Sequence, residues 1–190
     1  IVSIAELATK TIVQVQVGTL SDDGEFLSAG GGSGVVISSD GLIMTNHHVI
    51  DNSTEVRVIF EDGRMYEANI IGSDRLTDIG LVKIVASNLI PISIGNSDKM
   101  LVGDLAVAIG HPLTLGAAPT VTTGVVSALE RRLDVGGDLM GSSVTLFGLI
   151  QTDAPITRGS SGGALINKNG ELIGITTAIA TADVGAEGLG

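Results

Sequence analysis

TRGSSGGAL, residues 157–165, is a Gly/Ser turn that two quite different folds could own. Gly159 to Gly163 fits G-x-S-x-G, the strand-to-helix elbow that presents a nucleophilic serine above an α/β sheet. That architecture needs its serine, then its acid, then its histidine in chain order. The three histidines here are His47, His48 and His111, all upstream of Ser161, so the elbow is excluded. What remains is a turn between two strands that is either a plain connection or the seat of a nucleophile served from upstream. A serine hydroxyl is a weak nucleophile at neutral pH. In the second case Ser161 needs a base to take its proton and N–H donors to hold the oxyanion it creates. Gly159, without a Cβ, lets its own N–H and that of Ser161 converge on one point.

Working upstream, the base is sought in TNHHVI, residues 45–50, at the end of an apolar strand. Neighbouring residues on an extended chain point to opposite faces. One histidine can therefore enter a cleft while the other cannot share its ligand, which argues against a metal site. The acid is sought in SDRLTDIGLVKI, residues 73–84, where Asp78 stands at the mouth of the apolar run 79–85. A carboxylate there is costly unless paired or hydrogen-bonded. Asp74 competes with it but lies in a turn-like GSDR. His48, Asp78 and Ser161 occur in an order that assigns roles directly. Ser161 attacks, His48 takes and later returns the proton, and Asp78 fixes the imidazole tautomer.

Composition sets bounds on the protein around this turn. The 190 residues are 44% apolar and 16% charged, enough for one globular domain or two small cooperating units with real cores. Twenty-seven glycines against one tyrosine, three phenylalanines and no tryptophan point to tight turns around Val, Ile and Leu, which favours β structure. The formal charge of −11 argues against nucleic acid or an anionic membrane as partner. Without cysteine there is neither a disulfide framework nor a thiolate metal site. No apolar run approaches the roughly 18 to 20 residues of a membrane span, and the opening residues do not read as a signal peptide.

Read in order, Ser3 and Glu6 fit a capping box that opens a short N-terminal helix through about Lys10. Strands are expected at 11–17, 35–38, 42–46, 55–60, 65–72 and 79–85. A second set is expected at 103–110, 120–129, 146–152, 163–167 and 171–180. The segments 18–32, 131–145 and 181–190 read as loops. GGGSG at 30–34 lacks the Gly-Lys-Ser/Thr of a phosphate loop. With 86–99 as the connection, the chain divides into 1–90, carrying His48 and Asp78, and 91–190, carrying Ser161. Two sets of about six short strands without βαβ alternation imply an all-β fold of two packed antiparallel six-stranded β-barrels.

SGVVISSDGLIMTNHHVI, GSDRLTDIGLVKI, GDLAVAIGHP with VTTGVVSALER, and IQTDAPITRGSSGGALINKNGELIGITTAI together cover most of residues 33–180. In these segments the chain resembles the protease domain of the HtrA (DegP-like) family, within the chymotrypsin-like serine proteases. The resemblance implies that His48, which precedes Val49, is the catalytic histidine, and that Asp78 rather than Asp74 is its partner. It implies an oxyanion hole from Gly159, Ser160 and Ser161, and a substrate-pairing edge at Thr176, Thr177 and Ala178. It also implies walls of a pocket for small aliphatic side chains at Ile156 and Ile179. Family members commonly carry Asn-x-Gly-Asn-Ser where this chain has Thr157-Arg158-Gly159-Ser160-Ser161. The resemblance further implies an extracytoplasmic, ATP-independent endopeptidase acting on unfolded or misfolded polypeptides. It implies a homotrimer and C-terminal PDZ domains in the longer members, and no cofactor or metal. The alternative reading is a chaperone or peptide-binding module with proteolysis latent.

Overall fold

The computed structural model describes residues 2–112, 118–135, 144–177 and 188–189. Helix α1 (Val2–Ala8) and a 3₁₀ turn at Thr9–Thr11 lead into β1 (Ile12–Leu20). The helix already includes Val2, so Ser3 lies inside its first turn and does not cap it. β2 (Phe26–Val36), β3 (Leu42–Asn46), the one-turn helix α2 (His47–Ile50), β4 (Glu55–Ile59), β5 (Met65–Asp74) and β6 (Ile79–Ile84) follow. These six strands form a closed barrel in the order β1-β2-β3-β6-β5-β4, sealed where β4 pairs with β1. The second set is β7 (Leu105–Gly110), β8 (Thr120–Val135), β9 (Val144–Thr152), β10 (Ala164–Ile166), β11 (Leu172–Ile175) and β12 (Gly188–Leu189). It makes an antiparallel six-stranded sheet in the order β11-β10-β7-β8-β9-β12.

The segment 18–32, expected as a loop, is instead mostly strand. β1 continues to Leu20, the turn takes only residues 21–25, and Gly30, Gly31 and Gly32 pair with Val17, Gln16 and Val15. The glycine run hides this because it carries no side-chain periodicity. Its partner β1 supplies the alternating β-branched residues, and the glycines let neighbours close in. At Gly34 an added Cβ would lie 2.8 Å from an Ile43 methyl and 2.9 Å from a Val15 methyl. Likewise β8 runs on to Val135 and β9 begins at Val144, so both ends of 131–145 are strand, while 136–143 fall outside the described residues. Of 181–190, Gly188–Leu189 pairs with β9 and the remainder lies outside the described residues.

Three apolar clusters hold these parts in place. Val13, Val15, Ile43, Val58, Val82 and Ile84 fill the barrel. Met100, Ala106, Val126, Ile150, Leu165 and Ile173 pack on one face of the second sheet. Between them, Ile12 and Val35 of the barrel meet Val107, Ile109, Ala164 and Ile175 of the second sheet. Each fully buried Val or Ile of this kind contributes about 1.5–3 kcal/mol relative to exposure, so the seam between the two units is itself a core. The connecting segment is stitched to both sides. The Ile92 N–H donates to the Val36 carbonyl, and Ile94 bridges Leu172.

Candidate active site

β3 delivers the histidines. Asn46, still extended, stands at the N-cap position of α2, so His47 and His48 occupy a helical turn and not an extended segment. Successive helical residues are about 100° apart, and the two rings still diverge. His47 Nδ1 lies 2.9 Å from Ser73 Oγ, with its Nε2 3.9 Å from Asp51, whereas His48 Nδ1 lies 2.8 Å from Asp78 Oδ2. The two rings share no partner. Asn46 does not cap the helix with its side chain, whose Nδ2 donates to the Asp78 carbonyl and to Thr177 Oγ1 instead.

Asp78 sits at the head of β6 with φ +55°, a left-handed conformation that Asp tolerates better than most residues. The start of α2 holds it there. Its carbonyl accepts from the His47 N–H at 2.9 Å and from Asn46 Nδ2 at 3.0 Å. Asp78 is buried, and its carboxylate accepts from the His48 backbone N–H on Oδ1 at 3.0 Å and faces His48 Nδ1 through Oδ2. A buried carboxylate is tolerated when charge-assisted hydrogen bonds replace water, and these supply them. Thr177 Oγ1, itself accepting from Asn46 Nδ2 at 3.0 Å, adds a longer contact to Oδ2 at 3.4 Å. The competing Asp74 is occupied elsewhere. It accepts from the Leu76 N–H and the Thr77 hydroxyl, which hold its carboxyl below the usual range.

Ser161 reaches the same place from the second unit. An added Cβ at Gly32 would lie 2.5 Å from the Ser161 carbonyl oxygen and 3.0 Å from a methyl of Val49, the residue after His48. Ser161 and α2 therefore approach each other across a glycine too closely spaced for even one methyl group. The loop is fixed by its backbone. The Ser161 carbonyl accepts from the Ser33 N–H at 2.7 Å, and the Ser160 carbonyl from Thr176 Oγ1 at 2.5 Å and the Gly163 N–H at 2.9 Å. The Gly159 carbonyl accepts from Ser33 Oγ at 2.8 Å. Gly162, at φ +86°, packs against the Ser33 carbonyl oxygen and Thr45 Oγ1.

The turn before Ser161 has a definite type. The Ser160 N–H donates to the Thr157 carbonyl at 3.0 Å, and Gly159 at the third position has φ +89°. A positive φ there defines a type II turn, in which the Arg158–Gly159 amide is turned over relative to type I. The Ser160 N–H is occupied inside this turn and is withdrawn from the expected donor set. Thr176 needs a similar correction. Its N–H donates to the Gly163 carbonyl and its carbonyl accepts from the Gly162 N–H, so both edge groups are taken within the protein. Ile156 is half-buried against the second sheet's cluster, while Ala178 and Ile179 lie outside the described residues. Reasoning from sequence missed Ser33, Thr45 and Asn46, and it gave Thr177 only a substrate-pairing role.

The model of the trypsin-like peptidase domain matches residues 32–175. The chain is 49% identical over 161 residues to the periplasmic serine endoprotease DegP of Escherichia coli strain K12, covering 84% of this chain and 32% of that protein. It is 50% identical over 161 residues to the periplasmic pH-dependent serine endoprotease DegQ of the same strain, covering 84% and 33%. A solved structure of the HtrA-type protease AlgW with a tripeptide superposes with a TM-score of 0.82 at 34% identity, covering 99% of this chain and 58% of that one. The chain thus spans about a third of the length of the curated relatives it matches.

Proposed function

Because the chain belongs to the trypsin-like peptidases, and among them to the HtrA (DegP-like) kind, we propose that it is a serine endopeptidase with a His48–Asp78–Ser161 triad. The observation that carries this reading is the two-point grip of Asp78 on His48, through backbone N–H and Nδ1 together. That grip sets the ring's rotation and directs its Nδ1 proton at the carboxylate, leaving Nε2 with a lone pair for the Ser161 hydroxyl. His48 takes the proton as Ser161 Oγ attacks the scissile carbonyl. The tetrahedral oxyanion is held by the Gly159 and Ser161 N–H groups, and the imidazolium returns its proton to the leaving amine. Water repeats the cycle on the acyl-enzyme.

The substrates in this reading are unfolded or misfolded polypeptides, cleaved without ATP in an extracytoplasmic compartment. The division at 90/91 puts the cleft between the two units. A substrate strand pairs from Thr177 into Ala178, and Ile156 and Ile179 wall a pocket for small aliphatic side chains. Assembly is as a trimer, with PDZ domains in the longer protein. Val2 and Leu7, 73% and 69% exposed on α1, supply the apolar N-terminal surface such contacts need. Sedimentation that finds only monomer across a wide concentration range sinks the trimer. The latent chaperone reading requires a collapsed oxyanion turn, and the left-handed Gly159 favours the competent form.

The test is labelling by a serine-directed peptidyl phosphonate together with cleavage of unfolded casein. The wild-type chain incorporates the phosphonate at Ser161. Ser161→Ala loses both labelling and cleavage, with kcat down by at least about 10⁴-fold. A Ser161→Ala variant that cleaves casein as fast as wild type overturns the protease reading.

A further inference from the structure

We propose that Ser33, on β2 of the barrel, is a positioning residue for the oxyanion turn of the second unit, an inference that rests on the protease reading. Ser33 is fully buried, and each of its polar groups is engaged. The His111 N–H donates to Ser33 Oγ at 2.7 Å. A hydroxyl has a single proton, so with Oγ accepting from His111 that proton goes to the Gly159 carbonyl at 2.8 Å. The Ser33 N–H holds the Ser161 carbonyl at 2.7 Å, and the Ser33 carbonyl accepts from Thr45 Oγ1 at 2.7 Å. One residue of the barrel therefore grips the carbonyls of both Gly159 and Ser161.

The consequence for the turn follows from peptide planarity. In a trans peptide the C=O and N–H point in opposite directions. Fixing the Gly159 carbonyl on Ser33 directs the Ser160 N–H the other way, onto the Thr157 carbonyl that closes the type II turn. Without the hydroxyl, the Gly159 carbonyl and the His111 N–H are left without it in a buried setting, where a missing partner is costly. The Gly159–Ser160 peptide, and with it the closing Ser160 N–H bond of the turn, then loses its anchor to the barrel, and the Gly159 N–H is no longer held at a fixed place beside that of Ser161. Ser33 touches no substrate. Its contribution is to hold the donor geometry that only the tetrahedral state uses, so it acts on kcat and leaves ground-state binding alone.

The experiment compares wild type, Ser33→Ala and, as a destabilised control, Val58→Ala from the centre of the barrel core. Each is assayed with a fluorogenic peptide for kcat and KM. Affinity is measured for a peptide boronate, which forms the tetrahedral adduct, and for the same peptide as an unreactive carboxamide. For Ser33→Ala the expected result is a fall of about 10–100-fold in kcat and in boronate affinity, below the loss on deleting an oxyanion donor outright. KM and carboxamide affinity stay within about twofold, and Val58→Ala keeps wild-type kcat. If Ser33→Ala does not fold, Ser33→Cys, whose thiol is a poor donor of similar size, takes its place with the same expectation. A folded Ser33→Ala or Ser33→Cys with kcat within about threefold of wild type overturns the proposal. So does a loss shared equally by boronate and carboxamide. Wild type that labels with phosphonate while Ser33→Ala keeps full activity removes Ser33 alone. Wild type that neither labels nor cleaves removes the protease reading, and Ser33's role with it.

Discussion

Asp78→Asn is the sharpest perturbation of the proposed triad, because the geometry decides which way the new amide must face. The carboxylate presents Oδ1 to the His48 backbone N–H at 3.0 Å and Oδ2 to Nδ1 at 2.8 Å. The backbone N–H can only donate, so the amide oxygen takes the Oδ1 position and the NH₂ group faces Nδ1. A ring that accepts at Nδ1 carries its proton on Nε2, where it cannot take one from Ser161. The opposite amide rotamer sets N–H against the His48 backbone N–H and leaves that part-buried donor without its acceptor, at up to about 1–3 kcal/mol. The wrong tautomer therefore dominates. The same substitution in the serine-protease template lowers kcat by about 10⁴, which corresponds to about 5.5 kcal/mol of transition-state stabilisation.

The backbone should be little disturbed, since Asn accepts the φ of +55° at residue 78 as readily as Asp does. Steady-state kinetics on a fluorogenic peptide should show the loss in kcat with KM nearly unchanged. The rate of phosphonate labelling at Ser161 should fall in parallel, and a melting curve should show the variant folded. A folded Asp78→Asn enzyme within about tenfold of wild-type kcat would refute the tautomer argument and remove Asp78 as the orienting group.

Two further outcomes follow from the local geometry. Gly162→Ala should lose about 3 kcal/mol or more of stability in a denaturant titration. A left-handed residue costs about 1–2 kcal/mol without glycine, and the methyl would overlap the Ser33 carbonyl and Thr45 Oγ1. A loss below about 1 kcal/mol would show that the loop yields there. At Asp74, the Leu76 N–H and the Thr77 hydroxyl lower the folded-state pKa below the unfolded value. Its contribution to stability is present above the unfolded pKa of about 3.9 and is lost as pH falls through the lower folded one, so the gap between wild type and Asp74→Asn should shrink progressively on acidification below about pH 5. A gap that widens on acidification contradicts this.

The parts legible in the sequence and the parts that were not divide along a physical line. His48, Asp78 and Ser161 stood out as the proposed triad because a base, an orienting acid and a nucleophile each demand a particular functional group, and their chain order excluded the rival elbow fold. The barrel strands were legible wherever side chains alternate, as in β1, β4 and β6. The residues that hold the triad in place do so mainly through backbone carbonyls and N–H groups, which every residue carries and no pattern marks. Ser33 read as part of a glycine loop because its partners, the carbonyls of Gly159 and Ser161, lie more than 120 residues away in the chain. Thr176 read as a free edge because its N–H and carbonyl are taken by the backbone of Gly163 and Gly162 at the open end of the β10–β11 hairpin, a pairing that no side-chain pattern marks. The glycines point the same way. A Cβ at Gly32 would crowd Ser161, and one at Gly110 would lie 2.8 Å from the Cα of Ser160, so residues from both units are kept small to let the nucleophile's loop approach. The identity of the reacting groups is thus set by side-chain chemistry. Their distances are set by positions chosen for what they lack.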